Sequence, residues 1–511
     1  MVCPAVDFPA IHFGLETEVG ITLDTEGEID VVAESIALVR SARTAGVRMR
    51  WDYEMEDPHN DARGFRVQEL RQDTDEAGYF AQDAQRTLTF TEIKSDLALS
   101  NGARFYNDHA HPEYCTPECA NVDDLVLHDR AGERILMACA QELSKERGCE
   151  VRLYKNNTDF SGHSYGCHEN YLIPRRLDWV ELSRGIQAFL VTRQIFCGAG
   201  KFGYEEEDRF VGPGFQLSQR SDFFSELQSV DTMQRRPIIN TRDEPHADPE
   251  VYRRFHVILG DANLAPFATR LKVGVTALVL EAIVRNPKAN WPILKDPLKA
   301  LRGLSRDVSL RGEVAVTGEK KQNGIQLQRR YLGIVESACD LSDAWKRSVV
   351  EDWKAVLDDL ERDPMLCHDR LDWVAKFALV KAFQEREGIG DESPWLRSLD
   401  LEYSRIDLEQ GLYYGLEAAG GMRGVPDERD VQRAVHEAPR TRAAVRGGVI
   451  QRFPDAVVAA QWDHVILKDD QGMFRIDLTR MFAPAVIESA MAVVQNATAP
   501  KDLRKLLNVP D

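Results

Sequence analysis

Carboxylates recur two residues apart near the start of the chain. Residues 13–20 read FGLETEVG, and a strand here would place Glu16 and Glu18 on one face because side chains alternate along a strand. Two carboxylates this close repel each other unless a cation or a basic side chain lies between them. The pair is therefore either a solvated strand face or part of a cation site.

A second segment has a higher density of ionisable groups. Residues 101–116 read NGARFYNDHAHPEYCT, and strand alternation aligns Arg104, Tyr106 and Asp108 on one face. A guanidinium that can bind phosphate, a hydroxyl and a carboxylate would then converge, with Glu113 just beyond a proline-containing turn. This density favours a functional site over an exposed sheet edge.

Histidines and arginines follow in two further segments. His168 lies in SYGCHENY, and Arg242, Arg254 and His256 lie in INTRDEPHAD and RRFHVILGDAN. Carboxylates combined with imidazoles, without thiolates, are typical of Mg²⁺ or Mn²⁺ sites rather than of zinc sites. The sequence therefore predicts a hard-cation site that holds the phosphates of a nucleotide.

The elements that must position these residues are predicted from the hydrophobic pattern. The first third is predicted to be rich in strands, and it is interrupted by residues 51–100. Residues 52–77 of this segment contain nine acidic residues and three arginines, which indicates either a solvated insertion or a functional loop. The middle third mixes strands and helices. The last third is predicted to be mostly helical, with helices around Trp353 and Trp373.

Composition excludes several function classes. The 511 residues carry 64 Lys plus Arg and 83 Asp plus Glu, a net charge of −19, which argues against non-specific binding to nucleic acid or anionic membranes. We expect no membrane segment and no secretory signal. Nine cysteines scattered along the chain suit the reducing cytoplasm. The sequence also lacks the P-loop, the dinucleotide fingerprint, the H-E-x-x-H motif and the G-x-S-x-G elbow.

Taken together, the long motifs resemble one family. NGARFYNDHAHPEY, KNNTD, SYGCHENY, SQRSDF, INTRDEPHAD and RRFHVILGDAN are similar to the Pup ligase/depupylase family, within the glutamine synthetase-like carboxylate–amine ligases. Pup is the prokaryotic ubiquitin-like protein. The resemblance implies an α+β fold: a large domain with a curved antiparallel sheet packed by helices, and a small C-terminal domain. We place these at residues 1–430, with an insertion at 51–100, and at residues 431–511.

Two activities are implied by this family. A ligase joins the C-terminal glutamate of Pup to a lysine through a γ-glutamyl phosphate, and a depupylase hydrolyses that isopeptide bond and deamidates a C-terminal glutamine of Pup. The insertion with WDYE and DARGF, the spacing from Asp108 to Glu113, and the RGG and QRF strings at 446–453 resemble depupylases. KNNTD, SYGCHENY and CGAGK are closer to ligases.

The depupylase is the favoured interpretation and the ligase is the alternative. A non-catalytic ATP-binding reader of Pup and a small-molecule amide ligase are weaker alternatives. Intact Glu16, Asp108 and Glu113 count against the reader, and INTRDEPHAD and the insertion count against the amide ligase.

The resemblance also implies roles for individual residues. Its cofactors are ATP and Mg²⁺. The metal ligands it implies are Glu16, Tyr106, Glu113, His168 and His256. The residues it assigns to ATP are Arg104, Thr116, Trp462 and Arg254. The catalytic residues are Asp108 and Arg242, and Asp108 either attacks directly or positions a phosphate or a water.

Partners and location follow from the same resemblance. The expected partners are Pup and pupylated proteins, without nucleic acid or membrane. The protein is expected to be a monomer in the cytoplasm.

Overall fold

The computed structural model describes residues 11–42, 46–48, 50–53, 57–70, 87–206, 209–231 and 236–508. Its strands are β1 (Phe13–Glu18), β2 (Gly20–Leu23), β3 (Gly46–Arg48), β4 (Arg50–Trp51), β5 (Asn60–Asp61), β6 (Phe65–Arg66), β7 (Leu97–Leu99), β8 (Arg104–Asp108), β9 (His111–Cys115), β10 (Val151–Tyr154), β11 (Cys167–Pro174), β12 (Lys201–Glu206), β13 (Arg209–Gln216), β14 (Glu226–Ser229), β15 (Pro237–Asn240), β16 (Tyr252–Val257), β17 (Glu313–Val314), β18 (Gln322–Asn323), β19 (Val457–Gln461), β20 (His464–Asp469) and β21 (Gly472–Asp477).

The helices lie mostly in the second half of the chain. They are α1 (Val31–Arg40), α2 (Phe90–Lys94), α3 (Val122–Arg147), α4 (Trp179–Thr192), α5 (Gln194–Cys197), α6 (Pro266–Arg285), α7 (Pro297–Ser305), α8 (Gly324–Ala338), α9 (Ala344–Arg362), α10 (Asp372–Glu387), α11 (Trp395–Tyr403), α12 (Leu412–Ala418), α13 (Glu428–His436), α14 (Arg442–Arg452) and α15 (Pro484–Asn496). No helix in the described ranges has the length and apolarity needed to cross a membrane.

The largest sheet has nine strands in the order β14–β15–β16–β11–β1–β9–β8–β7–β3. Neighbouring strands run antiparallel, except that β14 and β15 at one edge are parallel. Helices supply the rest of the core. The predicted α+β class is confirmed, with one parallel pair added to the antiparallel sheet.

Strand β1 lies in the middle of this sheet, and its side chains alternate between the two faces. Phe13 and Leu15 are buried in the main hydrophobic core, which also contains the apolar residues of α6. Glu16 and Glu18 are on the other face and are only partly buried. The alternation thus places the apolar side chains of β1 in the core and its two carboxylates on the opposite face, as the sequence predicts.

The two helices predicted around Trp353 and Trp373 are present. Helix α9 buries Val349, Trp353, Leu357 and Leu360 on one face and ends before Pro364. Helix α10 ends at Glu387 and is capped by Gly388, which adopts a positive φ of 65°. Glycine is favoured there because it reaches the left-handed conformation without steric cost.

A second, smaller sheet has the strand order β21–β20–β19–β4. Its hydrophobic cluster runs from Val445 to Leu506 and includes residues of α14 and α15. Helix α13 packs on α3 instead, and β4, which comes from the insertion, pairs in parallel with β19. The division of the chain at residue 430 stays a prediction.

Buried ion pairs join the two sheets. Glu118, just after β9, accepts hydrogen bonds from Arg446 at 2.6 Å and from Arg442 at 2.7 Å. Arg446 also donates to the carbonyls of Gly102 and Trp462, at 2.7 and 2.8 Å. Although burial acts to raise the pKa of Glu118, the two guanidinium groups lower it to about 2. Glu118 therefore stays ionised and holds α14 against the large sheet.

We predict that Glu118→Gln lowers the free energy of unfolding by about 3 kcal/mol at pH 7, because it leaves two buried arginines without their carboxylate. A folded-state pKa below the ordinary value stabilises the fold above pH 4.5, and this contribution is lost as the pH falls from about 4.5 towards 2. Urea unfolding at several pH values measures both effects.

Glu488→Gln is the matched control, since Glu488 forms an exposed ion pair with Arg440. We expect it to change the unfolding free energy by less than about 0.5 kcal/mol. A Glu118→Gln variant as stable as the native chain at pH 7 would contradict the buried ion pair as a stabilising contact.

Candidate functional site

The polar face of the large sheet lines a cavity of about 1260 Å³. Antiparallel register brings its side chains together: Glu16 pairs with His168, Glu18 with Glu113, and Tyr106 with Glu113. Residues more than 90 positions apart in sequence are thus neighbours because β1 lies between β9 and β11. Most of the predicted site residues line this cavity: Glu16, Arg104, Tyr106, Asp108, Glu113, His168, Arg242, Arg254, His256 and Trp462.

One group of metal-ligating side chains is formed by Glu16, His168 and His256, whose donor atoms lie within 4.8 Å of one another. Glu16 Oε2 is 3.5 Å from a ring nitrogen of each histidine. Nδ1 of buried His256 has no hydrogen-bond partner among the described residues. A buried nitrogen without a partner and a carboxylate between two imidazoles fit a divalent cation.

The charges of this group agree with that interpretation. Burial and the nearby charge of Arg254 lower the pKa of His256 to about 3, so the imidazole is neutral, the form that ligates metals. Burial acts to raise the pKa of Glu16, but contacts with His168 and His256 and the charge of Arg254 hold that pKa well below its ordinary value.

A second group is formed by Glu18, Asp108 and Glu113, again with oxygens within 4.8 Å of one another. Burial and the negative charges of Asp108, Glu16 and Glu18 raise the pKa of Glu113 well above its ordinary value. Three carboxylates this close favour a bound cation. The alternation in FGLETEVG placed Glu18 beside Glu16, but the family motifs assigned only Glu16 to metal; the alternation alone was the signal for Glu18.

Asp108 also has positively charged neighbours. Its Oδ1 lies 2.6 Å from Lys94 Nζ, and its Oδ2 lies 3.3 Å from a ring nitrogen of His109. Burial acts to raise the pKa of Asp108, but Lys94 and His109 outweigh it and hold the pKa well below its ordinary value. Lys94 was not anticipated from the sequence.

The residues that the family resemblance assigns to ATP line two different cavities. Arg104 lies in the main cavity, but its guanidinium is paired with Asp96 at 2.6 Å and lies over the Tyr106 ring at 3.8 Å. Thr116 does not line that cavity. Its hydroxyl accepts a hydrogen bond from the Leu15 amide and faces a smaller neighbouring cavity of about 90 Å³. Trp462 is one of the residues that line both cavities.

Further arginines line the main cavity. Arg254 contacts Glu244 and the Asn170 side chain, each at 3.2 Å, and Arg242 donates to the Val230 carbonyl at 3.0 Å. A third arginine, Arg220, was missed by the sequence analysis, although it lies in the SQRSDF motif.

Arg220 is fully buried and has no carboxylate partner among the described residues. It donates to the Ser164 hydroxyl at 3.2 Å and to the Ile258 carbonyl at 2.6 Å. Burial and the charge of Arg236 lower its pKa to about 10, so it remains charged near neutral pH. A buried guanidinium that lines a cavity and is not paired with a carboxylate of the described residues is suited to bind a phosphate or a carboxylate of a ligand.

The described parts of the insertion contact these residues directly. The hairpin β5–β6 forms a bridge between Asp61 and Arg242, and Asp61 accepts a hydrogen bond from the Thr241 hydroxyl at 2.7 Å. The amide of Ala62 donates to the Thr241 carbonyl at 2.7 Å. The DARGF string therefore packs on INTRDEPHAD. Residues 54–56 and 71–86 of the predicted insertion lie outside the described residues.

Comparison with known proteins decides the family. The sequence profile described as Pup-ligase protein matches residues 12–466. The chain belongs to the Pup-ligase family. It is 42% identical to a protein named Pup deamidase/depupylase from Mycobacterium tuberculosis, over 89% of this chain and 90% of that protein. A protein named depupylase from Acidothermus cellulolyticus has the same identity and the same coverage.

Proteins named as ligases are also similar to this chain. A protein named Pup–protein ligase from Acidimicrobium ferrooxidans is 40% identical over 73% of this chain and 84% of that protein. The crystal structure of Pup with its ligase PafA superposes with a TM-score of 0.76 at 27% identity, covering 98% of this chain and 95% of that one. PafA with ADP gives 0.70 at 29% identity, over 84% and 96%. The predicted family and fold are confirmed.

We predict that His256→Ala weakens Mn²⁺ binding by about tenfold or more, because it removes one of three ligands from the Glu16 group. Isothermal titration calorimetry with Mn²⁺ alone measures the affinity. His368→Ala, an exposed histidine outside the cavity, is the control and should bind Mn²⁺ as the native chain does. Equal affinities for all three proteins would show that the group does not bind a cation.

Proposed function

We propose that this chain is a Pup deamidase and depupylase, which hydrolyses the isopeptide bond between the C-terminal glutamate of Pup and a substrate lysine. It also converts a C-terminal glutamine of Pup to glutamate. The observation that carries the proposal is coverage: relatives named deamidase or depupylase match 89% of this chain, whereas a relative named ligase matches 73%. The ligase is the second candidate, because its identity of 40% is nearly as high.

ATP and Mg²⁺ are the proposed cofactors. A structural neighbour at 29% identity holds ADP according to its title, which supports a nucleotide here. The two acidic groups around Glu16 and Glu113 would hold Mg²⁺, and Trp462 and Thr116 would contact the nucleotide. Bound Mg²⁺ supplies positive charge that offsets the negative charge of phosphates.

The cavity contains groups for each requirement of amide hydrolysis. Arg220, Arg242 and Arg254 line the same cavity as Asp108, and in this proposal they would stabilise the negative charge that develops on the carbonyl oxygen of the scissile amide. Asp108 is ionised and can accept a proton from an attacking group or orient it. Buried Arg220 is held by its two hydrogen bonds, so its charge is in place before the substrate arrives.

We assign Asp108 to proton transfer and orientation rather than to direct attack. Direct attack would form a covalent aspartyl–Pup anhydride. In that case Asp108 would need to leave its contacts with Lys94 and His109. As a base or an orienting group, the Asp108 carboxylate itself stays in place.

We predict that Asp108→Asn lowers kcat for Pup-Gln deamidation by about a thousandfold, because general-base removal costs about 10²–10⁴ in rate. Melting temperature shows whether the variant is folded. Intact mass spectrometry of the native enzyme during turnover should show no protein–Pup adduct. A trapped adduct on Asp108 would refute the proton-transfer role.

The activity itself is tested with Mg-ATP and Pup that ends in glutamine, followed by intact mass. We expect a gain of one mass unit on Pup without any lysine substrate, with ATP consumption far below the number of turnovers. Unchanged Pup-Gln, together with conjugation of Pup-Glu to a lysine-bearing protein and stoichiometric ADP, would establish the ligase. Silence in both assays would support the non-catalytic reader.

Partners and location are part of the same proposal. A structural neighbour is a complex with Pup according to its title, which supports Pup as the binding partner. Pupylated proteins as substrates, a monomeric enzyme and a cytoplasmic location complete the proposal.

A further inference from the structure

Lys94 is the last residue of α2, at the end of the insertion. Its Nζ lies 2.6 Å from Asp108 Oδ1 and 5.4 Å from the centre of the Tyr106 ring. The side chain is 17% exposed and lines the main cavity. An ε-ammonium on a four-carbon stem is therefore bound inside the site, against the carboxylate assigned to catalysis.

The helix that carries Lys94 is fixed at its C-terminal end by hydrogen bonds. Arg40 of α1 donates to the Ser95 hydroxyl at 3.1 Å and to the Glu92 carbonyl at 2.9 Å. The side-chain amide of Asn107 donates to the Ile93 carbonyl at 3.1 Å. These contacts place the stem of Lys94 over β8.

A small hydrophobic cluster holds the same helix. Ile93 and Leu88 pack against Val32 and Ile36 of α1 and against Ala110. A capping box of Thr89 and Glu92 closes the first turn. Five residues would not form a stable helix alone, so α2 depends on this docking. The position of Lys94 in the cavity is thus fixed by the tertiary contacts of α2.

We propose that Lys94 occupies the subsite of the substrate lysine, so that the chain's own ammonium blocks the position that the isopeptide nitrogen must take. The inference rests on the proposed function and deepens it. In isopeptide hydrolysis water adds its oxygen to the γ-carbonyl of the Pup glutamate, and the C–N bond breaks. The leaving lysine amine takes up a proton and becomes an ammonium. That product has the same stem and charge as Lys94.

If Lys94 fills this subsite, it hinders depupylation more than it hinders deamidation. A pupylated protein must bring a four-carbon stem to the position that Lys94 fills, and so must displace it. Pup-Gln carries only an amide NH₂ there and displaces less. Lys94 therefore sets the ratio between depupylation and deamidation.

Lys94→Ala removes both the stem and the ammonium and so opens the subsite. We expect kcat/KM for a pupylated protein to rise about fivefold relative to that for Pup-Gln, chiefly through a lower KM, because a partly exposed ion pair no longer has to be displaced. Lys94→Arg keeps a long stem and the positive charge and should retain the native ratio. Lys320→Ala removes an exposed lysine outside the cavity and is the matched control.

Two outcomes of this assay would overturn the inference. An unchanged ratio would show that Lys94 does not compete with the substrate. An equal fall in kcat for both substrates would show that Lys94 only positions Asp108.

Amine binding tests the same inference without any turnover, so it separates this inference from the proposed function. We expect n-butylammonium to raise the melting temperature of Lys94→Ala but not of the native chain. The additional Asp108→Asn change should abolish that shift. If butylammonium does not stabilise Lys94→Ala, the subsite is absent, whatever reaction the protein catalyses.

Discussion

Four carboxylates meet on one face of the large sheet, and much of the surrounding structure supplies positive charge to them. They come from β1, β8 and β9, whose antiparallel register leaves no other place for their side chains. Such a group is stable only with cations nearby. His168 and His256 lie beside Glu16, and Lys94 forms an ion pair with Asp108. Burial together with the neighbouring carboxylates raises the pKa of Glu113, so a further negative charge there is disfavoured.

The large sheet also positions the C-terminal part of the chain that lines the cavity. Glu118 lies shortly after the end of β9, so the strand that carries Glu113 leads to the carboxylate that binds Arg442 and Arg446. Arg446 in turn donates to the carbonyl of Trp462, one of the residues that line both cavities. The C-terminal sheet is therefore positioned by an ion pair a few residues away from the proposed metal ligands. Its stability and the shape of the site are linked through that contact.

Side-chain alternation predicted the site face of the sheet correctly, because period two along a strand needs no knowledge of the partner strands. Glu16 and Glu18, and the row from Arg104 to Asp108, lie where the pattern places them. The pattern could not predict what each group contacts. Arg104 is paired with Asp96, and Thr116 faces the smaller cavity, because both contacts depend on chain segments that fold back from elsewhere. Lys94 and Arg220 were missed for the same reason: neither stands out in its own segment.

The insertion shows most clearly why local composition is insufficient. Its nine acids in residues 52–77 suggest a solvated loop. Yet Asp52 is buried against His464 at 3.0 Å, and Asp61 is buried against Thr241. Its far end carries Lys94 to Asp108. The described parts of the insertion thus contact the C-terminal sheet, the segment that carries Arg242, and Asp108. A segment that contacts all three is part of the site, and Asp52 and Asp61 help to attach it there.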